Sequence, residues 1–147
     1  MKDDLRERIA EYMAKCRLCT IATAGADGQP NAATIFFTNA GTDIYFNTAN
    51  ESQKVRNIRA NPRVAIAMTE PGPVPATDRD IRGIQCFGRA TVLADADLSG
   101  VPKGIMARHK AFNSATPGKS AVIKVTPQKV YLVDYARGFR HRDLLEL

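Results

Sequence analysis

The segment Tyr45-Phe46-Asn47-Thr48-Ala49-Asn50-Glu51-Ser52-Gln53-Lys54-Val55-Arg56-Asn57-Ile58-Arg59-Ala60-Asn61-Pro62-Arg63-Val64-Ala65-Ile66-Ala67-Met68 decides the fold. It predicts an apolar strand, a polar turn, a short helix that stops near Pro62, and a second apolar strand. Asn50 has the side chain of an N-cap, and Gln53 follows three residues later as in a capping box. Ser52, Gln53 and Lys54 then fall in the first helical turn. Unbonded N–H groups and the positive end of the helix dipole make that turn a site for an anion. A lysine there opposes the dipole unless an anion lies beside it. The same spacing also fits an ordinary surface helix whose Lys54, Arg56 and Arg59 are simply solvated.

Outward from this segment, the period changes from helix to strand. Leu5, Ile9, Tyr12 and Met13 recur at helical spacing, which predicts a helix over Asp4–Ala14 with Asp3 and Asp4 at its N-terminus. Short runs rich in β-branched and aromatic residues predict strands over Leu18–Thr23, Asn31–Thr38 and Ile44–Thr48. Gly25-Ala26-Asp27-Gly28 and Asn39-Ala40-Gly41-Thr42-Asp43 supply the turns between them. Val64–Met68 is the next strand, and four prolines and glycines between Pro71 and Pro75 make Thr69–Arg82 a loop. Gly83–Leu93 reads as a long strand with a bulge or bend at Gly88. Leu98, Val101, Ile105, His109 and Phe112 mark one face of a helix, with Pro102 in its first turn. Ala121–Thr126 and Lys129–Tyr135 read as two strands separated by Pro127, followed by a polar, basic tail. Hairpin-linked strands with a few short helices predict a mainly β chain: an antiparallel split β-barrel with short flanking helices, because closure removes edge strands.

Length and charge narrow the classes. A chain of 147 residues is expected to form one domain, residues 1–147, with a sizeable core. The formal net charge is +6 and the isoelectric point about 9.5, which suits anionic partners. The basic residues are scattered, however, and the densest group is Arg137-Gly138-Phe139-Arg140-His141-Arg142. Nucleic-acid binding is therefore not expected. No apolar run reaches the length of a membrane span, so no membrane partner is expected. The charged start Met1-Lys2-Asp3-Asp4 lacks the apolar core of a secretory signal, which makes the cytoplasm the expected compartment.

Catalytic signatures are sparse. Phosphate-binding loops, dinucleotide fingerprints, nucleophile elbows and zinc-protease motifs are all missing. Cys16 and Cys19 form a C-x-x-C, but they precede a strand instead of following one into a helix, so a redox pair is not expected. Cys86, His109 and His141 have no paired spacing, and no metal site is expected. All three cysteines read as buried small residues, and His109 as a packed or half-exposed one. A chain this poor in acid–base groups would draw its chemistry from a cofactor.

Several pieces, in this order and spacing, resemble the FMN-binding split barrel of the pyridoxamine 5′-phosphate oxidase superfamily. They are Gly28-Gln29-Pro30, Ala33-Thr34-Ile35-Phe36-Phe37-Thr38, Ile44-Tyr45-Phe46-Asn47-Thr48, Ser52-Gln53-Lys54 and Asn57-Ile58-Arg59-Ala60-Asn61-Pro62-Arg63-Val64-Ala65. Gln85-Cys86-Phe87-Gly88-Arg89-Ala90 is similar to the family's fifth-strand motif. The resemblance implies a homodimer with FMN at the subunit interface. It implies that the backbone around Thr34, Ile35 and Phe36 meets the isoalloxazine ring, and that Asn47 and Thr48 meet the ribityl chain or phosphate. Ser52, Gln53 and Lys54 would hold the phosphate; Gln85, and more weakly Phe139 and Arg140, would reach the flavin from the partner subunit. The pattern also departs from true pyridoxamine-phosphate oxidases. Ala33 stands where they have a phosphate-binding arginine, and the chain has no tryptophan to match their C-terminal substrate motif. The expected function is thus a flavin-dependent oxidoreductase acting on another small molecule. An FMN-binding electron carrier without its own substrate, or a split barrel holding deazaflavin F420 or haem, are the alternatives.

Overall fold

The computed structural model describes residues 2–147. Its elements are α1 (Lys2–Lys15), β1 (Leu18–Ala24), β2 (Pro30–Phe36), β3 (Thr38–Ala40), β4 (Asp43–Ala49), α2 (Gln53–Ala60), β5 (Arg63–Met68), β6 (Arg82–Val92), α3 (Lys103–Ala115), β7 (Ser120–Asp134) and β8 (Arg142–Glu146). The strands form one antiparallel sheet in the order β2-β1-β5-β6-β7-β4-β3, with β8 also paired to β7. The chain passes from β2 at one end of this order into β3 at the other through Phe37 alone. The sheet is therefore curled into a barrel whose two ends meet at one point and part beyond it.

Alternation builds the core. Cys19, Ile21, Val64, Ile66, Met68, Ile84, Cys86, Val125, Val130 and Leu132 point inward from their strands, joined by Ile44 and Phe46 of β4. Burial of each large side chain contributes about 1.5–3 kcal/mol. α1 adds Ile9 and Met13, and its Tyr12 hydroxyl accepts from the Glu70 N–H at 3.0 Å just past the end of β5. α2 adds Val55 and Ile58 beside the far end of β1. The two helices thus close opposite ends of the barrel. A second, smaller cluster lies outside it, where Val101 and Ile105 pack on Tyr45 and Val122, flanked by Phe36 and Met106.

Two expectations are corrected. Asn31–Thr38 is not one strand, because the Phe37 N–H turns away to donate to the Arg17 carbonyl at 3.2 Å and separates β2 from β3. Pro127 does not divide the last strands: β7 runs on through it, and the Phe87–Lys129 and Gly88–Pro127 pairings leave Gln128 as an extra residue on β7. A bulge is one of the few places in a ladder where proline's missing N–H costs little. The polar, basic tail also adds a strand, since Arg142–Glu146 pairs with β7 as β8. Thr69–Ile81 is the expected loop, with a single 3-10 turn at Asp78–Asp80. Among the described residues, no helix is long and apolar enough to cross a membrane.

Candidate functional site

The site is a fork. β3 and β4 pair Thr38 with Tyr45, Asn39 with Ile44 and Ala40 with Asp43. Continued one way, this register would set Phe36 against Asn47 and Ile35 against Thr48. The ladder stops instead, since β2 pairs only with β1, and β4 beyond Tyr45 pairs only with β7. Thr34, Ile35 and Phe36 therefore line one prong, and Asn47 and Thr48 the other. The facing edges of both prongs carry backbone N–H and C=O groups with no strand partner. Such edges need water or a ligand to satisfy them.

Side chains add a second unmet requirement. The Asn47 Oδ1 is buried and accepts no hydrogen bond from the described residues. A buried acceptor left alone costs about 1–3 kcal/mol. Thr34 is exposed on the outer face opposite Thr20, while Ile35 turns into the core opposite Cys19 and offers the fork only its backbone. Phe36 is half-buried on the outer face, under α3.

α2 begins where β4 ends. Its N-cap is Ser52, with φ −66° and ψ 157°, and the Ser52 Oγ accepts from the Val55 N–H at 3.4 Å. The expected cap at Asn50 is corrected here. The Asn50 N–H donates to the Lys119 carbonyl at 2.6 Å and its Oδ1 accepts from Arg59 at 3.1 Å, so its side chain is engaged elsewhere. Gln53 closes no capping box: its Nε2 donates forward to the Asn57 Oδ1 at 2.8 Å and its Oε1 accepts from Arg56 at 2.8 Å. The N–H groups of Gln53 and Lys54 have no partner in this turn. Lys54 is half-buried and belongs to none of the ion pairs among the described residues. Glu51, the nearest acid in sequence, pairs with Lys119 at 3.6 Å. The free Gln53 and Lys54 N–H groups, the Ser52 hydroxyl and Lys54 thus all belong to one helical first turn just past the end of β4, a place where an anion is favoured.

Gln85 does not join this group within one chain. Cross-strand pairing places Thr34, Thr20, Ala67 and Gln85 in one row on the outer face of β2, β1, β5 and β6. At about 4.8 Å per strand, three spacings separate its ends. An open depression of about 450 Å3 between Leu18, Thr20, Thr34, Ala67 and Thr69 lies along that row. Phe139 also stands apart. It is 83% exposed, 6.4 Å from the Tyr135 ring, and it lines a depression of about 500 Å3 with Asp78, Arg79 and Arg137 that contains no fork residue.

The other candidate chemistry is quiet. Burial pushes the Cys16 thiol up to about 11, and Cys19 and Cys86 up to about 12. Neutral, buried thiols are poor nucleophiles and poor ligands. The described residues hold no group of three metal-ligating side chains. His109 is half-buried, as expected, with Nδ1 2.8 Å from the Ser120 Oγ and Nε2 3.4 Å from Asn113.

Sequence reasoning missed two contacts beside the fork. Arg56 folds back on the turn, donating to the Glu51 carbonyl as well as to Gln53, so it braces the first turn of α2. Arg108 of α3 lays its guanidinium over Phe36, with Cζ 4.4 Å from the ring centroid. The helical period marks Ile105 as buried and so places Arg108 one turn on; nothing local pairs it with a residue 72 positions away.

Comparison of the sequence with curated proteins finds no match. Among solved structures, the fold is similar to a heme binding protein from Mycobacterium smegmatis, at 19% identity over 96% of this chain and 57% of that one, TM-score 0.75. The chain thus spans 57% of that protein's length. A conserved hypothetical protein from Mycobacterium tuberculosis is similar at 26% identity, over 87% of this chain and 83% of that one, TM-score 0.70. The General Stress Protein 26 from Bacillus anthracis is similar at 20% identity, over 97% and 98%, TM-score 0.67. The family described as Pyridoxamine 5'-phosphate oxidase matches residues 5–134, which include both prongs of the fork, α2 and the row that ends at Gln85. The chain belongs to the pyridoxamine 5'-phosphate oxidase family.

Proposed function

We propose that this chain binds FMN in the fork between β2 and β4 and acts, as a homodimer, as a flavin-dependent oxidoreductase on a small molecule other than pyridoxamine phosphate. The observation that carries the reading is the match between unmet polar groups and the parts of FMN. Edge backbone groups of Thr34–Phe36 face a flat polar ring. The orphaned Asn47 Oδ1 and the end of β4 suit a polyhydroxyl chain. Ser52, the Gln53 and Lys54 N–H groups and the Lys54 ammonium suit a phosphate. Bound FMN supplies hydride and single-electron transfer; the chain binds, orients and shields it.

The homodimer rests on the outer face. Leu18 and Phe87 are 57% and 40% exposed there, among Ala22, Ala32, Ala65 and Ala67. A second copy on this face would cover that apolar surface and carry its Gln85 toward the fork.

A haem reading draws support from the named Mycobacterium smegmatis protein. It needs an axial ligand, and both histidines have polar side chains close by. His109 lies between Ser120 and Asn113, and His141 Nε2 is 3.2 Å from Asp143. The absorption spectrum of the purified protein, with mass analysis of what it releases on denaturation, decides among the cofactors. Flavin bands and the mass of FMN are expected. A Soret band, or release of F420, would replace FMN by the corresponding alternative.

A further inference from the structure

We propose that Arg108 is a further binding residue of the fork, one that donates hydrogen bonds to the polar edge of the planar ring lying along β2. The inference deepens the flavin reading and rests on it.

Three observations carry it. First, α3 lies over the closed end of the fork: Ile105 packs on Tyr45 and Val122, with Phe36 and Met106 flanking it, and Tyr45 is paired to Thr38 where the two prongs meet. Second, Arg108, itself exposed, lies over the Phe36 ring and is electrostatically unspent. Its Cζ is 4.4 Å from the Phe36 ring centroid, and it belongs to no ion pair and no side-chain hydrogen bond among the described residues. Stacking fixes a guanidinium plane while leaving the N–H groups on its rim free to donate. Third, Phe36 and Asn47 are the residues that the interrupted register sets opposite each other, and the buried Asn47 Oδ1 is unpartnered. An unspent donor fork and an orphaned acceptor thus flank one opening.

Position assigns the part of the ligand. Lys54 lies past the end of β4, at the open end, whereas Arg108 sits over Phe36 at the closed end. The anion turn and Arg108 therefore address opposite ends of one elongated molecule. The end nearest Phe36 is that of the ring, whose carbonyl oxygens are the acceptors a guanidinium would meet.

The test compares FMN with riboflavin, which carries the same ring without phosphate. The full-length protein, freed of bound flavin, is titrated with each by fluorescence quenching. Arg108→Met keeps the apolar cover on Phe36 and removes every donor; Arg108→Lys keeps the charge without the planar fork. Arg108→Met should weaken FMN and riboflavin alike, by about ten- to hundred-fold. Arg108→Lys should weaken both less, while Lys54→Ala should weaken FMN alone. Unchanged affinity of Arg108→Met for both ligands would overturn the role of Arg108 and leave the flavin reading standing. A loss confined to FMN would overturn the assignment to the ring. A parent protein that binds neither ligand would overturn the flavin reading and this inference with it.

Discussion

The Nδ2 of Asn57 on α2 donates to the Oγ1 of Thr23 on β1 at 3.0 Å, and both residues are buried. Asn57 Oδ1 in turn accepts from Gln53, which accepts from Arg56, so one chain of bonds runs from the barrel wall to the first turn of α2. Asn57→Ala should therefore destabilise the protein by about 1–3 kcal/mol, because it removes the partner of the buried Thr23 hydroxyl and the acceptor of the Gln53 Nε2. The midpoint of urea unfolding measures this. A shift below a few tenths of a kcal/mol would mean that water replaces the side chain without cost.

Lys54→Ala should weaken FMN by about ten- to hundred-fold, the usual worth of a charge-assisted contact to phosphate. A titration of the variant that matched the parent would remove the anion site from the proposed function. The Ser52→Ala change should act in the same direction and also cost about 1 kcal/mol of stability, since Ser52 caps α2.

Ala67 is exposed in the middle of the outer-face row, between Thr20 and Gln85. Ala67→Arg should leave the barrel folded and, in the proposed homodimer, bring like charges and bulk into the interface. The expected result by light scattering is a dimer for the parent and a monomer for the variant, with flavin affinity reduced. A dimeric variant with unchanged affinity would move the interface to another face.

A Cβ on Gly88 would lie 2.5 Å from the Thr126 carbonyl oxygen and 3.0 Å from the Pro127 Cα. Both neighbours are backbone atoms, so the β6–β7 bulge itself must shift. Gly88→Ala should cost about 1–3 kcal/mol, and thermal unfolding checks it.

Burial raises the thiol pKa values from 9.0 to about 11 for Cys16 and about 12 for Cys19 and Cys86. A thiol whose pKa is raised on folding stabilises the protein fully below the unfolded value and loses that contribution as pH climbs through the folded one. Here the unfolded chain ionises first, above pH 9, and folding stability should fall between pH 9 and about 11–12. At pH 8 the native thiols should react with a maleimide far more slowly than in urea. Equal rates in the two conditions would show that these cysteines are open to solvent.

The local segments were legible because each carries its own physical signal. Alternation of Cys19, Ile21 and Thr23, or of Val64, Ile66 and Met68, places one face in the core and announces a strand, and the spacing of Ile9, Tyr12 and Met13 announces a helix. The Ser52–Lys54 turn was legible as a helix start for the same reason: the first turn of a helix exposes N–H groups wherever it occurs. Its cap was misplaced by two residues because Asn50 and Ser52 have similar capping preference. The contest is settled by Lys119 and Arg59, which occupy Asn50 from elsewhere in the chain.

By itself, the sequence determined the three helices and most of the strands, the basic balance, the absence of common catalytic motifs and the family pattern from Leu18 to Leu93. Those features depend on residues near one another along the chain. The tertiary structure alone decided three other things. It broke the β2–β3 run at Phe37 to open the fork, carried β7 through Pro127 on a bulge, and laid Arg108 over Phe36. Each depends on partners far apart in sequence, and local periodicity says nothing about which distant backbone edge or side chain will meet once the sheet curls.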